Sequence, residues 1–405
     1  MKNREEYLEK LKGFKDKSQI KVITGVRRCV KSSLLNLFEK YLIEEEGLSK
    51  KNVVKLNFEL EAYKEIANHD ILYKLIKKSI NNTVGRVYLL LDEVQNVRHW
   101  EKAINSLNID SDVDIYITGS NAYLLSSELS TLLSGRYVEI KMLPLSYKEF
   151  LDFNGIQSST QNFNLFLKYG GMPAVAEYET DEVKINTMLE GIYSTAILKD
   201  VVERNNIEHE RLLRDLVLFL ADNIGNISSP NNIANYLASN KIRIDTKDTL
   251  PNSVTLSSYL LMLEKAYIFY PVYRFDIKGK EYLKTLQKYY MVDTGLRNML
   301  LGYRDIDRGH ILENIVYLEL LRRGFNVSIG KVGEKEVDFV AVRPDRKVYY
   351  QVTESLLDKG VRDREISALK SIKDNYEKVI LSMDVNYVNS ENGIKLQNVI
   401  DFLLE

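Results

Sequence analysis

The sequence of 405 residues has one cysteine, Cys29, and six prolines, and Lys plus Arg (56) nearly balance Asp plus Glu (57). A single cysteine excludes an internal disulfide and is typical of a reducing compartment. No apolar run approaches the roughly 18 residues of a membrane span. The charged segment 1–17 has no apolar core of the kind that a signal peptide needs. The balance of charges excludes a globally basic protein, although a local basic patch remains possible. We therefore expect an ordered cytoplasmic protein with no membrane partner and about two or three domains.

The stretch "ITGVRRCVKSS", residues 23–33, nearly matches the phosphate-binding pattern G-x-x-x-x-G-K-[ST]. An apolar run precedes it, and apolar residues at helical spacing follow it, so the pattern predicts a loop between a strand and a helix. Backbone amides of such a loop point at phosphates, the lysine reaches the β- and γ-phosphates, and the serine hydroxyl is a Mg²⁺ ligand. The predicted nucleotide-binding residues are Gly25, Val26, Arg27, Arg28, Cys29, Val30, Lys31, Ser32 and Ser33. Arg27 and Arg28 either touch phosphates or face solvent.

The stretch "RVYLLLDEVQNV" supplies the partner motif, because an apolar run at residues 87–91 ends in Asp92 and Glu93. A carboxylate at the end of a buried parallel strand is costly without a cation. Asp92 fits the Mg²⁺ position, together with Ser32, and Glu93 fits the base that orients the attacking water. The alternative is that both acids simply cap a strand in solvent.

Two further residues follow the next predicted strand, "VDIYITGSNAYLL". Asn121 lies where a side chain that senses the γ-phosphate would sit. Arg136 lies in a Gly-Arg turn before another strand, and it is either an arginine finger that acts on a neighbouring subunit or a structural turn residue.

The stretches "ITGVRRCVKSSLL", "VYLLLDEVQNVRHWEKAINSL", "IYITGSNAYLLSSELSTLLSGRYVEI" and "YGGMPAV" resemble a bacterial and archaeal family of AAA-type P-loop ATPases. That family joins an ATPase domain to a winged-helix region and a C-terminal domain of unknown function. The resemblance covers nearly the whole chain and implies ATP and Mg²⁺ as ligands. It also implies the site roles given above for Lys31, Ser32, Asp92, Glu93, Asn121 and Arg136. AAA-type proteins often form rings, so a homo-oligomer is possible.

The expected fold class is α/β, with a P-loop parallel sheet, then a winged-helix domain, then a nuclease-like α/β domain. The expected boundaries are 1–160 for the ATPase core, 161–206 for a helical lid or linker, 207–303 for the winged helix and 304–405 for the nuclease-like domain.

Val30 is the departure from the family pattern, because glycine belongs at that position. Glycine reaches backbone angles that β-branched residues avoid, and it lets the backbone approach the phosphates. We expect valine to cost on the order of 1–3 kcal/mol in strain and to reduce both nucleotide affinity and turnover.

The region 207–303 predicts three helices and a hairpin, with a recognition helix near residues 255–264 and a basic wing at residues 278–284. Lysines of the wing either contact DNA phosphates or are simply solvated, and apolar residues in the helix weaken base readout.

The last segment places Glu313 on a helix, Asp338 on a strand and Gln351 on the next strand, a layout similar to PD-(D/E)XK nucleases. Paired acids in such enzymes bind Mg²⁺, and a lysine supports the attacking water. Here Gln351 replaces the second acid and Thr353 stands where the lysine belongs, so the site is an incomplete remnant.

Three hypotheses follow from these patterns. The first is an ATPase whose nucleotide state moves a DNA-binding winged-helix and nuclease-like module, with turnover impaired by Val30. The second is a nucleotide-independent scaffold with a silenced ATP site. The third is a metal-dependent DNA nuclease that works through Glu313 and Asp338.

Overall fold

The computed structural model describes residues 4–120, 136–178, 181–205, 207, 209–239, 252–385 and 390–405. These residues form two compact units. The first unit contains Met1–Met142 together with Lys265–Tyr267, and the second contains Leu143–Glu264 and Ile268–Glu405.

The first unit is built on a five-stranded sheet in the order β2-β3-β4-β1-β5, in which every pair of neighbouring strands is parallel. Its strands are β1 (Ile20–Thr24), β2 (Val53–Asn57), β3 (Val87–Asp92), β4 (Val113–Thr118) and β5 (Tyr137–Lys141). Its α-helices are α1 (Glu5–Gly13), α2 (Lys31–Lys40), α3 (His69–Asn81) and α4 (Trp100–Asp110), and a π-helical turn, Tyr41–Glu45, extends α2.

The three central strands are mostly apolar because helices cover both faces of a parallel sheet, and the buried Lys21 of β1 pairs with Asp114 of β4. Every residue of β1, β3 and β4 is buried. Parallel strands end at the same edge of the sheet, so Thr24, Asp92 and Thr118 end neighbouring strands on one side. The predicted α/β fold with a parallel sheet is therefore confirmed.

The second unit begins with helices and ends with a mixed sheet. Its helices are α5 (Tyr147–Asn154), α6 (Thr160–Tyr169), α7 (Glu182–Thr195), α8 (Glu210–Asp222), α9 (Pro230–Ser239), α10 (Ser253–Lys265), α11 (Thr294–Leu301), α12 (Arg308–Arg322), α13 (Lys359–Lys370) and α14 (Val399–Leu404). Its strands are β6 (Phe269–Asp276), β7 (Glu281–Met291), β8 (Asn326–Val332), β9 (Lys335–Arg343), β10 (Arg346–Val352), β11 (Glu377–Ser382), β12 (Ser390–Glu391) and β13 (Ile394–Asn398).

The eight strands of the second unit lie in the order β12-β13-β11-β10-β9-β8-β6-β7. The hairpin β6–β7, which we predicted to be the wing of a separate domain, extends this sheet because β6 pairs in parallel with β8. The expected boundary between residues 303 and 304 therefore runs through one continuous sheet. The first unit likewise ends at Met142, before the expected residue 160.

A glycine-lined junction connects the end of α6 to the start of α11. Asp293 caps α11 by accepting from Leu296 N at 3.0 Å, and it also accepts from Gly171 N at 2.6 Å. A Cβ atom on Gly170 would lie 2.4 Å from the Asp293 carboxylate, and one on Gly295 would lie 2.0 Å from the Tyr169 carbonyl. Burial raises the pKa of Asp293 to about 6, against the opposing effect of these backbone donors.

Candidate nucleotide site

The loop between β1 and α2 starts at a glycine whose surroundings leave no room for a side chain. Gly25 has φ of 141°, and an added Cβ would lie only 2.2 Å from the Met142 carbonyl oxygen. Met142 N in turn donates to Thr24 O at 2.8 Å, so the loop begins against the end of β5. Cys29 is fully buried in the same loop.

Lys31 lies at the first position of α2 and is only 4% exposed. Its Nζ donates to Gly25 O at 3.0 Å and to Val26 O at 3.2 Å, so the ammonium group lies inside the curl of the loop. Ser32 is exposed at the N-terminus of α2, where a ligand can reach it, and Ser33 is half-buried.

Val30 adopts the left-handed conformation, with φ 64° and ψ 34°. Arg28 in the same loop is also left-handed, with φ 69°, and is exposed. For an L-residue this conformation costs about 1–2 kcal/mol, and β-branched side chains fit it worst. The loop thus has the backbone that glycine normally supplies at this position, although valine occupies it.

The two acids of the second motif lie at the end of β3. Asp92 is 2% exposed, and its two carboxylate oxygens accept from Thr118 Oγ1 and, at 2.9 Å, from Asn57 Nδ2. Glu93 has φ of 53° and is 7% exposed. Burial raises the pKa of Glu93, and the positive charge of Lys31 partly opposes that shift.

Polar residues that the sequence patterns did not single out complete this edge of the sheet. Thr118 Oγ1 bridges Asp92 and the backbone N–H of Glu93, which donates to it at 2.9 Å. Ser120 Oγ lies 3.5 Å from Glu93 Oε2, and the Gln95 side chain donates to the same oxygen. The sequence does contain a signal for these polar residues, because "ITGS" and "KLNFE" each place polar side chains at or directly after the end of an apolar strand.

The remaining predicted residues have different surroundings. Arg27 pairs with Glu59 at 3.1 Å. Asn121 lies outside the described residues. Arg136 is exposed at the start of β5, and its carbonyl accepts from Ile20 N at 2.8 Å, which aligns β5 with β1.

A short segment from late in the chain also reaches this region of the first unit. The Tyr267 hydroxyl donates to Glu139 Oε1 at 3.1 Å, and Thr24 Oγ1 donates to the same oxygen. Burial raises the pKa of Tyr267 above its ordinary value, and the carboxylate of Glu139 adds to the shift. The Glu139 carboxylate therefore connects Tyr267 to Thr24, the residue directly before Gly25.

The predicted nuclease remnant does form a cluster in the second unit, but a lysine lies within it. Lys288 Nζ, on β7, is 2.8 Å from both Glu313 Oε1 and Glu336 Oε1. Gln351 Oε1 accepts from Asp338 N at 2.7 Å. Burial raises the pKa of Asp338, and the nearby charge of Glu313 raises it further.

Two features are absent from the described part of the chain. No group of three or more His, Cys, Asp or Glu side chains there is arranged to hold a metal ion. None of the described helices is long and apolar enough to cross a membrane.

Comparison with known proteins places this geometry in context. Residues 17–151 match a family described as an AAA domain, and residues 160–307 match one described as a domain of unknown function. A Haemophilus influenzae protein described as uncharacterized is 40% identical, over 100% of this chain and 99% of its own length. A Methanocaldococcus jannaschii protein with the same description is 32% identical, over 92% of this chain and 81% of its own.

Among solved structures, the Aeropyrum pernix ORC1 protein in complex with DNA is 12% identical, with a TM-score of 0.31. The alignment covers 76% of this chain and 94% of that one. AMPPCP-bound DnaA from Aquifex aeolicus is 16% identical with a TM-score of 0.30, over 65% and 88% of the two chains. Scores of this size support no inference from those proteins to this one.

Proposed function

The chain belongs to the family that includes these Haemophilus influenzae and Methanocaldococcus jannaschii proteins, with an AAA domain at residues 17–151, and we propose that this domain binds and slowly hydrolyses ATP. The observation that carries the proposal is the buried Lys31 ammonium inside a curl of backbone, in the same unit as two buried acids at the end of β3.

The side chains of the site fit a magnesium-bound triphosphate. Lys31 has only backbone carbonyls as hydrogen-bond partners among the described residues, so its positive charge is available to phosphate oxygens. Ser32 and Asp92 would hold Mg²⁺, which neutralises negative charge on the phosphates. Asn57 and Thr118 fix the Asp92 carboxylate by hydrogen bonds to both of its oxygens.

Glu93 is the proposed base. It is buried and held by Gln95, while Thr118 fixes its backbone N–H. A raised pKa suits a carboxylate that accepts a proton from water, because a more basic group removes the proton more readily. In our proposal, Glu93 orients the attacking water, and Asn121 and Arg136 serve as γ-phosphate sensor and as a finger from a neighbouring copy.

Val30 is the feature that makes turnover slow. Its side chain branches at Cβ on a left-handed backbone, at the point where the loop amides must approach phosphate oxygens. Strain and side-chain volume both oppose that approach, so we propose weak nucleotide binding rather than complete loss.

Paired variants of the full chain test the assignment. Lys31→Met removes the charge that faces the phosphates, so we expect it to abolish binding of a fluorescent ATP analogue. Glu93→Gln keeps the shape of the base but not its basicity, so we expect binding to persist while phosphate release falls by about 100-fold or more. Unchanged ATP affinity in Lys31→Met, or full hydrolysis in Glu93→Gln, would contradict the proposal. The scaffold hypothesis instead predicts no measurable binding to the unmodified chain.

For the C-terminal cluster we propose a structural role rather than DNA cleavage. Burial alone would lower the pKa of Lys288, but the carboxylates of Glu313, Asp338 and Glu336 outweigh it and raise that pKa. The lysine therefore remains charged and neutralises acids that a nuclease would use for Mg²⁺. Plasmid cleavage with Mg²⁺ or Mn²⁺ that is lost in Asp338→Ala would favour the nuclease instead.

A further inference from the structure

A groove in the second unit is lined by four lysines and one aspartate and has a volume of about 540 Å³. Its lining residues are Lys278, Lys335, Asp363, Ile366, Ser367, Lys370, Ser371 and Lys373. The walls come from the turn of the β6–β7 hairpin, the start of β9, and α13 with the residues that follow it.

The hairpin turn is held firmly in place. Asp276 Oδ1 accepts from Lys278 N at 2.9 Å and from Gly279 N at 3.0 Å, which closes the turn. Ile277 packs against the core of the mixed sheet. A Cβ atom on Gly330 would lie 2.9 Å from Ile277 Cδ1, so that glycine allows the close approach. Lys278 therefore projects from a fixed point of the backbone.

The opposite wall carries both charges and hydroxyl groups. Lys335 Nζ donates to Ser371 Oγ at 3.1 Å and to Ser367 O at 3.3 Å, and it also contacts Ser367 Oγ. Lys370 ends α13, and Lys373 follows it shortly afterwards. Lys278, Lys335, Lys370 and Lys373 are all exposed.

The four lysines of the groove lack acidic partners. Within residues 252–385 and the other described ranges, no carboxylate forms an ion pair with Lys278, Lys335, Lys370 or Lys373. Some other cations around the sheet are paired, as Arg343 is with Asp345 at 2.8 Å and Lys347 is with Asp374 at 3.9 Å. The chain as a whole has a formal net charge of −1, so this local excess of positive charge is not a property of the whole surface.

We propose that this groove binds the sugar–phosphate backbone of a nucleic acid. Lysine ammonium groups are strongly hydrated point charges on flexible stems, which suits phosphates but does not discriminate between bases. The Ser367 hydroxyl can donate a further hydrogen bond to a phosphate oxygen, whereas the Ser371 hydroxyl already donates to Ser367 O at 2.8 Å. The groove lining includes no arginine or aromatic side chain that would read or stack bases. The binding is therefore independent of sequence and sensitive to salt.

This location differs from the recognition helix that the sequence predicted. In α10, Leu256, Tyr259, Leu260 and Leu263 are buried, so the helix uses one face for packing. The inference concerns the second unit and does not depend on nucleotide binding by the first.

Fluorescence anisotropy with the full-length chain tests the proposal, using a labelled duplex of roughly 30 base pairs over a range of salt concentrations. The test variant combines Lys278→Glu, Lys370→Glu and Lys373→Glu. Lys370→Glu alone is compared with a matched control, Lys359→Glu, which makes the same single charge change on an exposed residue of α13 outside the groove. A second triple variant with glutamine at the same positions removes the charge without adding repulsion.

We expect the glutamate variant to lose at least about tenfold in affinity at low salt, and the salt slope to fall by about 0.9 for each phosphate that the lysines no longer neutralise. The glutamine variant should lose less, and Lys359→Glu should bind like the unmodified chain. Thermal melts of all variants should coincide, since the changed side chains are exposed. No binding by the unmodified chain at low salt, or equal losses in the groove and control variants, would overturn the proposal. Binding of poly-glutamate as tight as that of the duplex would also overturn it.

Discussion

Replacing Val30 with glycine should stabilise the first unit and strengthen its binding of ATP. The left-handed backbone at φ 64° costs valine about 1–2 kcal/mol, whereas glycine adopts it freely. Glycine also makes the unfolded chain more flexible, which lowers the free energy of unfolding by about 0.5–1 kcal/mol. We therefore expect a net increase of about 1 kcal/mol in the free energy of unfolding. For a unit of this size, that gain raises Tm by about 2–4 °C. Removing the branched side chain should also tighten ATP binding roughly tenfold, or about 1.4 kcal/mol.

Arg28 provides a matched control in the same loop, because its φ of 69° is also left-handed. Arg28→Gly should give a similar rise in Tm by calorimetry, since the same strain is relieved. Only Val30→Gly should strengthen binding of a fluorescent ATP analogue, because only position 30 corresponds to the glycine of the motif. If Val30→Gly left affinity unchanged, or if Arg28→Gly tightened binding equally, the side chain of Val30 would not be what limits binding.

Two further predictions concern the second unit. Burial raises the pKa of Asp293 from its ordinary value of 3.8 to about 6, so the folded chain binds this proton more tightly than the unfolded chain. Its contribution to stability is therefore full below pH 3.8 and decreases by about 3 kcal/mol as pH rises through 6. Urea titrations from pH 4 to 7 should show a weaker pH dependence in Asp293→Asn, and an unchanged one would refute the shift. Lys288→Met should cost about 3–5 kcal/mol, because it leaves the buried Glu313 unpaired, whereas Lys280→Met on the exposed turn should cost less than about 0.5 kcal/mol. Similar urea midpoints for these two lysine variants would show that the stability of the folded chain does not depend on the Lys288 charge.

The parallel sheet was predictable, and so were the positions of the candidate site residues along it, because each depends on contiguous sequence. The apolar runs that became β1 and β3 end in the motif residues themselves, so strand, loop and acid could be read together. The conformation of position 30 was also predictable, because the motif has glycine there for its backbone angles. Thr118 and Asn57 were missed because their role depends on which strands are neighbours, and the order of strands is a long-range property.

The C-terminal half was harder to predict for a related reason. Glu313, Asp338 and Gln351 were selected from local patterns, and the structure does bring them together. Lys288 was not selected because it comes from the hairpin, which local pattern assigned to a different domain. Pairing of β6 with β8 joins segments separated by the whole of α11 and α12, and no local signal specifies that pairing.

The position of Lys265–Tyr267 affects the order in which the two units can be completed while the chain is synthesised. These three residues belong to the first unit, yet more than a hundred residues of the second unit are translated between Met142 and Lys265. A ribosome-bound chain that has just passed Met142 therefore still lacks the tyrosine that donates to Glu139, beside the entry to the nucleotide loop. The ATPase unit can become complete only after α10 has been translated, so maturation of the two units is interleaved and not sequential.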